Sequence, residues 1–111
     1  MTDRPTGTVA FLFTDIEGST QLWEARPQAM AMALRRHDDL VRAAVAAHHG
    51  HVFSTGGDGF GVAFPTVADA VGAAVDVQRS LHRQADDFEA GFRVRMGLHA
   101  GDAIERDGDY F

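Results

Sequence analysis

A near-continuous apolar run at 8–14 (TVAFLFT) passes into a helical pattern within a few residues, across the break Gly18-Ser19-Thr20. A run of this length is typical of a strand at the centre of a sheet or covered on both faces. The serine and threonine of the break are residue types that cap a helix. The helical pattern extends from about Thr20 to His48, with Pro27 as a first-turn residue after a short break. A strand followed by a long helix therefore opens the fold.

Two further β-type runs, 51–54 and 59–64, flank Thr55-Gly56-Gly57-Asp58, which predicts a hairpin with glycines at its turn. A second helix is predicted from Thr66 to about Gln84, because Thr66 and Asp69 resemble a capping box. The apolar positions expected to face the core are Met30, Leu34, Val41 and Val45 on the first helix, and Val67, Val71, Ala74, Val75 and Leu81 on the second.

A loop is predicted at 85–91, and the alternation FRVRMGLH at 92–99 predicts a strand ended by Gly101. Asp107-Gly108 predicts the turn of a C-terminal hairpin. The order β-α-β-β-α-β predicts an α+β fold, a ferredoxin-like sandwich of one antiparallel sheet with two helices on one face, followed by that hairpin. We expect residues 1–6 to be a flexible lead-in and residues 7–111 to form the domain.

Composition excludes several classes of protein. The 111 residues contain neither cysteine nor lysine. Disulfides, thiolate catalysis and cysteine-based zinc sites are therefore excluded, as is any P-loop or Schiff-base lysine. The net charge of −6 argues against direct nucleic-acid binding. No apolar stretch approaches the ~20 residues of a membrane span, so we expect no membrane contact and a cytoplasmic protein.

Two carboxylates follow strand-like runs beside glycines. Asp15 ends the first run three residues before Gly18, and Asp58 lies between Gly57 and Gly59. Glycines let a ligand approach the backbone closely, and carboxylates are ligands of hard divalent cations. The pattern predicts a site for a divalent metal and a phosphate chain. Each aspartate also has a simpler interpretation, as a helix cap for Asp15 and a turn residue for Asp58.

Three motifs in this order resemble the class III nucleotidyl cyclase domain, which is the adenylyl and guanylyl cyclase homology domain, in its bacterial and notably actinobacterial form. The resemblance covers residues 7–111. The motifs are Phe13-Thr14-Asp15-Ile16-Glu17-Gly18-Ser19-Thr20, Gly57-Asp58-Gly59-Phe60 and Arg95-Met96-Gly97-Leu98-His99-Ala100-Gly101.

The resemblance implies a catalytic site with two ions, Mg²⁺ or Mn²⁺, held by Asp15, Asp58 and the main-chain carbonyl of Ile16. The backbone of Glu17, Gly18, Ser19 and Thr20 would hold the β- and γ-phosphates of ATP or GTP. One ion would lower the pKa of the ribose 3′-hydroxyl and the other would neutralise the triphosphate. Attack on the α-phosphate would release pyrophosphate and a 3′,5′-cyclic nucleotide, with cyclic AMP favoured over cyclic GMP. A head-to-tail homodimer is also implied.

The chain departs from this family at positions that read the base and complete the catalysis. Ser54 stands where active members carry a lysine, and Asp109 matches the carboxylate that partners it. The asparagine and arginine that follow that carboxylate in the family fall after Phe111. Loss of a transition-state arginine typically costs a factor of ~10³ or more. We therefore expect these 111 residues to turn over substrate poorly or not at all.

Two alternatives remain open. One is a catalytically silent module for nucleotide sensing or dimerisation, which Ser54 favours. The other is a diguanylate-cyclase-like domain, because Gly56-Gly57-Asp58-Gly59-Phe60 superficially resembles the loop of that family. Gly59 stands where that family has glutamate, and the turn at 15–20 also argues against it.

Overall fold

The computed structural model of the chain describes residues 4–84 and 92–111. Its elements are β1 (Gly7–Ile16), α1 (Ser19–Ala25), α2 (Pro27–Ala47), β2 (His51–Gly56), β3 (Gly59–Phe64), α3 (Val67–Arg83), β4 (Val94–Ala103), β5 (Glu105–Arg106) and β6 (Asp109–Tyr110). The main sheet is antiparallel with the strand order β2-β3-β1-β4, and β5 and β6 form a separate hairpin. The predicted ferredoxin-like arrangement is therefore confirmed.

Strand β1 lies at the centre of the sheet. It pairs with β3 from Ala10↔Phe64 to Thr14↔Phe60, and with β4 from Gly7↔Ala103 to Ile16↔Val94. Its inward positions are almost fully buried, with Leu12 only 1% exposed. Strand β1 has a neighbouring strand on each edge and is covered by the helices on one face, which explains why its sequence is apolar at almost every position.

Helices α2 and α3 cover one face of the sheet and enclose the main core. Its buried residues are Ala10, Leu12, Val41, Ala44, Val45, Phe60, Val62, Phe64, Ala70, Ala73 and Val77. A second, smaller cluster contains Ile16, Met30 and Val94, with Leu34 packed against it. The predicted inward face of the first helix is thus confirmed. No helix in the described ranges is both long and apolar enough to cross a bilayer.

The junction between β1 and the helices differs from the prediction. The helical segment is divided at Arg26 into α1 and α2, with Pro27 in the first turn of α2. Neither Ser19 nor Thr20 caps α1; Gly18 holds the cap position, with φ 66° and ψ 28° and no side-chain hydrogen bond. The strand turns sharply into the helix there, and glycine tolerates this left-handed conformation without steric cost.

The predicted inward face of α3 was wrong for its valines. Val67, Val71 and Val75 are exposed, whereas Ala70, Ala73 and Val77 are the buried positions. Small side chains at 70 and 73 let the helix axis approach the sheet, so alanine rather than valine faces inward. Thr66 caps this helix through a hydrogen bond from the Asp69 amide, 3.0 Å long, as predicted.

Strand β4 begins two residues later than predicted, at Val94, and continues past Gly101 to Ala103. The C-terminal hairpin is confirmed, with φ 54° at Asp107 and 86° at Gly108 in its turn. The Tyr110 hydroxyl donates to the Pro5 carbonyl over 2.9 Å, so the hairpin is joined to the start of the described chain. Residues 1–3 and the predicted loop at 85–91 lie outside the described residues.

We predict that Gly50→Ala destabilises the fold. A Cβ atom at Gly50 would lie 2.7 Å from Cε1 of Phe64 and 2.8 Å from Cγ1 of Val45, both in the main core. Overpacking of this kind costs ~1–3 kcal/mol of unfolding free energy. Urea unfolding should show the loss, and Gly97→Ala is the control, because a Cβ there meets no atom within 4 Å. Equal stability of the two variants would contradict the prediction.

Candidate metal and nucleotide site

The register of β1 and β3 brings the two predicted aspartates to the same end of the sheet. Thr14 pairs with Phe60, so Asp15 on β1 and Asp58 in the turn before β3 both lie just beyond this pair. The Phe60 amide also donates to Oγ1 of Thr14 over 3.2 Å. A Cβ at Gly59 would collide with the Thr14 carbonyl oxygen. Glycine is therefore required beside Asp58 for the two strands to approach.

Asp58 presents a carboxylate oxygen without a partner. It follows Gly57, which has φ 57°, in the two-residue turn between β2 and β3. Its Oδ2 atom is buried and accepts no hydrogen bond within the described part of the chain. Buried polar atoms are nearly always paired, and an anionic oxygen is especially costly to leave unpaired. A cation at this atom would satisfy it.

Asp15 is held by an arginine that the sequence analysis did not place in the site. Nε and Nη2 of Arg95 donate to Oδ1 and Oδ2 of Asp15, each over 2.8 Å. This hydrogen bond holds the pKa of Asp15 below its ordinary value, against desolvation of the carboxylate and with a smaller contribution from the charge of Arg95. The pairing Asp15↔Arg95 in the β1–β4 ladder is the signal that identifies Arg95, and it requires the register.

The charges that act on Arg95 show that several carboxylates lie near its guanidinium. The pKa of Arg95 is raised above its ordinary value, first by its hydrogen bond to Asp15 and then by the charge of that carboxylate, against slight desolvation. The charges of Glu17 and Asp58 raise it further. Arg95 therefore lies among three carboxylates.

The predicted phosphate-binding segment is only partly available. The Glu17 amide donates to the Arg93 carbonyl over 2.8 Å, which extends the β1–β4 pairing by one hydrogen bond. Beyond it, Gly18 turns the chain and Ser19 and Thr20 begin α1. The first amides of a helix have no partners within the helix, so the free donors of this segment are those from Gly18 onward.

The remaining ligand set is small. The side chain of Ile16 is 3% exposed and packs in the second core cluster, which fixes the backbone at the end of β1. Among residues 4–84 and 92–111, no three His, Cys, Asp or Glu side chains form a metal-binding group. Magnesium sites commonly use one or two carboxylates together with substrate phosphates and water. Asp15, Asp58 and the Ile16 carbonyl fit such an ion.

The two predicted base-reading residues lie on strands that contact each other. Ser54 is exposed on β2, next to an irregularity in the β2–β3 pairing between Val52 and Ser54. Asp109 is exposed on β6, and its Oδ1 accepts the Tyr110 amide over 2.9 Å. The rings of Phe53 and Tyr110, which neighbour these residues, lie 5.2 Å apart between centroids.

An antiparallel βαββαβ sheet with this strand order is the fold of the class III nucleotidyl cyclase catalytic domains. The chain belongs to the adenylate and guanylate cyclase catalytic domain family, whose sequence model matches residues 1–107.

Individual relatives agree with this assignment. The adenylate cyclase of Lachancea kluyveri is 46% identical over 116 residues, which cover 87% of this chain and 6% of that protein. An uncharacterised protein of Mycobacterium tuberculosis is 40% identical over 105 residues, which cover 93% of this chain and 34% of the relative. The chain thus spans a small part of the curated relatives that it matches.

Solved structures also match. Adenylate cyclases from Trypanosoma brucei, in their monomeric state, superpose with a TM-score of 0.81 at 26% identity, over 98% of this chain and 65% of theirs. An adenylate/guanylate cyclase/hydrolase from Silicibacter pomeroyi gives a TM-score of 0.82 at 26% identity, over 94% of this chain and 62% of its own.

We predict that Arg95→Gln raises the pKa of Asp15 towards the ordinary aspartate value, because the bidentate hydrogen bond is lost. In the wild type, the ion pair that lowers the pKa of Asp15 stabilises the fold at pH values above the pKa of aspartate in the unfolded chain. That contribution disappears as the pH falls through the lowered pKa of the folded state. Carboxyl ¹³C titration by NMR measures the shift. Arg93→Gln is the control, because Arg93 forms no hydrogen bond or ion pair with Asp15, and it should leave the titration unchanged.

Proposed function

We propose that this domain, at residues 7–111, forms a 3′,5′-cyclic nucleotide and pyrophosphate from ATP or GTP, with cyclic AMP as the favoured product. The observation that carries this proposal is the buried Oδ2 of Asp58, which has no hydrogen-bond partner in the described part of the chain and lies at the same end of the sheet as Asp15. A cytoplasmic location and a role in cyclic-nucleotide signalling belong to the same proposal.

The residues have separate tasks in this reaction. Asp15, Asp58 and the Ile16 carbonyl would hold two Mg²⁺ or Mn²⁺ ions, which make the ribose 3′-hydroxyl more acidic and neutralise the triphosphate. The amides of Gly18, Ser19 and Thr20 would donate to phosphate oxygens. The 3′-hydroxyl would lose its proton to water, and its oxygen would attack the α-phosphorus. The bond from the α-phosphorus to the oxygen that bridges to the β-phosphorus would break, so that pyrophosphate leaves with that oxygen.

Arg95 would change partners when substrate binds. It donates hydrogen bonds to both oxygens of Asp15. A cation held by Asp15 would replace the guanidinium there, and Arg95 would then be available to donate to the phosphate chain. Metal binding to Asp15 alone must therefore compete with an internal ion pair, and nucleotide would strengthen it.

We predict that Mn²⁺ binds the wild-type chain and that Asp58→Asn abolishes most of this binding. A carboxamide keeps the shape of the side chain but removes the anionic ligand. Isothermal titration with Mn²⁺, alone and with ATP or GTP, measures the affinity. A parallel assay for cyclic AMP and cyclic GMP should give low product that Asp58→Asn removes.

Asp107→Asn is the matched control for Asp58→Asn. Asp107 lies in the β5–β6 turn, and its positive φ of 54° suits asparagine as well as aspartate. It should bind Mn²⁺ like the wild type. A wild-type chain without Mn²⁺ affinity, with or without nucleotide, would contradict the proposed function.

A second candidate function, a catalytically silent nucleotide-sensing or dimerisation module, is favoured by the open face of the sheet. Phe13 is 49% exposed and contacts Phe11 and Phe53 at ring-centroid distances of 6.2 and 6.1 Å. Tyr110 packs on the same Phe11 and Phe53 rings at 5.4 and 5.2 Å. An exposed aromatic beside Asp15 supports this face as the contact in the proposed head-to-tail homodimer.

We predict that Phe13→Gln shifts the chain towards monomer, because it removes the most exposed ring of this aromatic face. Sedimentation velocity over a concentration series measures the change. Met32→Gln is the control, since Met32 is 74% exposed on the solvent side of α2, on the helix-covered face of the sheet. Equal association of both variants with the wild type would contradict a contact through Phe13.

A further inference from the structure

His37 is a polar ring in the apolar interior that the proposed reaction does not use. It lies on α2 and its exposed fraction is 0%. Its Nδ1 lies 2.9 Å from Oδ1 of Asp38, whose side chain reaches solvent. Its Nε2 is buried and has no partner within the described residues. Among the described residues, the contact with Asp38 is thus the one polar contact of this buried imidazole.

The imidazole of His37 contacts two rings from different strands. Its centroid lies 5.9 Å from that of Phe60 at the start of β3 and 6.0 Å from that of Phe92, just before β4. The Arg42 guanidinium also lies over the Phe60 ring, 5.4 Å from its centroid. The His37 side chain of α2 therefore packs at the start of both β3 and β4, the two strands that pair with β1.

Each of these rings lies close to the proposed site along the chain. Phe60 follows Asp58 by two residues, and its amide is bonded to Thr14, the neighbour of Asp15. Phe92 adjoins Arg93, whose carbonyl accepts the Glu17 amide. A displacement of either ring would therefore reach the end of β1 through these hydrogen bonds and through the strand pairing beside them.

We propose that His37 is a positioning residue, which fixes the turn carrying Asp58 relative to Asp15 by holding Phe60 and Phe92. The hydrogen bond to Asp38 sets the orientation of the imidazole, and the imidazole sets the two rings. The inference rests on the proposed function, because it assigns the purpose of this arrangement to the metal site. Residues hydrogen-bonded to metal ligands change metal affinity by ~10–100-fold when they are replaced, and His37, which acts through two rings, should fall at the lower end of that range.

Two substitutions test this from different sides. His37→Phe keeps an aromatic ring against Phe60 and Phe92 but loses the anchor to Asp38. Asp38→Ala removes the anchor from the solvent side and leaves the buried imidazole in place, so it tests the proposal even where His37→Phe folds poorly. Asp39→Ala is its control, since Asp39 is the adjacent exposed acid of α2.

Val45→Ala is the control for loss of core packing. Val45 is 5% exposed and lies on α2 beside Gly50 and Phe64, two turns beyond His37. Urea unfolding measures stability, Mn²⁺ titration measures metal affinity, and the ¹H–¹⁵N shifts of the Gly57 and Gly59 amides report the turn without metal. We expect Val45→Ala to lose stability while its Mn²⁺ affinity stays close to the wild-type value.

The expected result is that His37→Phe and Asp38→Ala shift the Gly57 and Gly59 amides and weaken Mn²⁺ binding about tenfold. Unchanged amide shifts in both variants, or an equal loss of Mn²⁺ affinity in Val45→Ala, would overturn the proposal. If the wild type itself binds no Mn²⁺, the proposed function fails. The amide shifts of the metal-free variants then still decide whether His37 fixes the turn.

Discussion

The pairing of β1 with a strand on each side is the constraint on which the rest of this structure depends. The contact between the Thr14 backbone and Gly59 sets how closely β3 can approach, and the Thr14 hydroxyl bonded to the Phe60 amide fixes the register. A shift of one residue would turn Asp15 into the core and Leu12 to solvent. The same ladder that buries the core therefore places the acidic residues on the outer side of the sheet.

The electrostatics of the site follow from that register. A chain with a net charge of −6 concentrates carboxylates at one end of its sheet, and Arg95 compensates for them from the neighbouring strand. Arg95 donates a hydrogen bond to each carboxylate oxygen of Asp15, whereas Oδ2 of Asp58 has no partner among the described residues. In the proposed function, Asp58 would therefore accept a cation directly, whereas a cation at Asp15 would have to replace the guanidinium of Arg95.

Much of the fold could be predicted from the sequence because its signals are local. The apolar run of β1, the glycines of the β2–β3 turn and Asp107-Gly108 each specify an element without reference to the others. The buried face of α3 could not be predicted in this way, since valine and alanine both form apolar stripes there. Only the distance between helix and sheet decides that Ala70 and Ala73 face inward.

In the candidate site, too, residues with a local sequence signal could be predicted and residues with long-range contacts could not. Asp15 and Asp58 carry a local signature of carboxylate beside glycine, so the sequence indicates them. Arg95 and His37 contact residues distant along the chain, so the roles proposed for them depend on the register and on the packing of α2. Likewise, the hydrogen bond from the Glu17 amide to the Arg93 carbonyl belongs to the β1–β4 pairing, and no local sequence pattern predicts it.

Solvent exposure explains why a single chain is a poor setting for the proposed chemistry. The side chains of Arg95 and Asp15 are 64% and 48% exposed, so water screens their charges. Preorganised charges stabilise a transition state far more strongly where water is excluded. A second copy over the aromatic face beside Phe13 would exclude that water and strengthen every interaction at the end of β1. The proposed dimer is therefore an electrostatic requirement of the site as well as a means of supplying further residues.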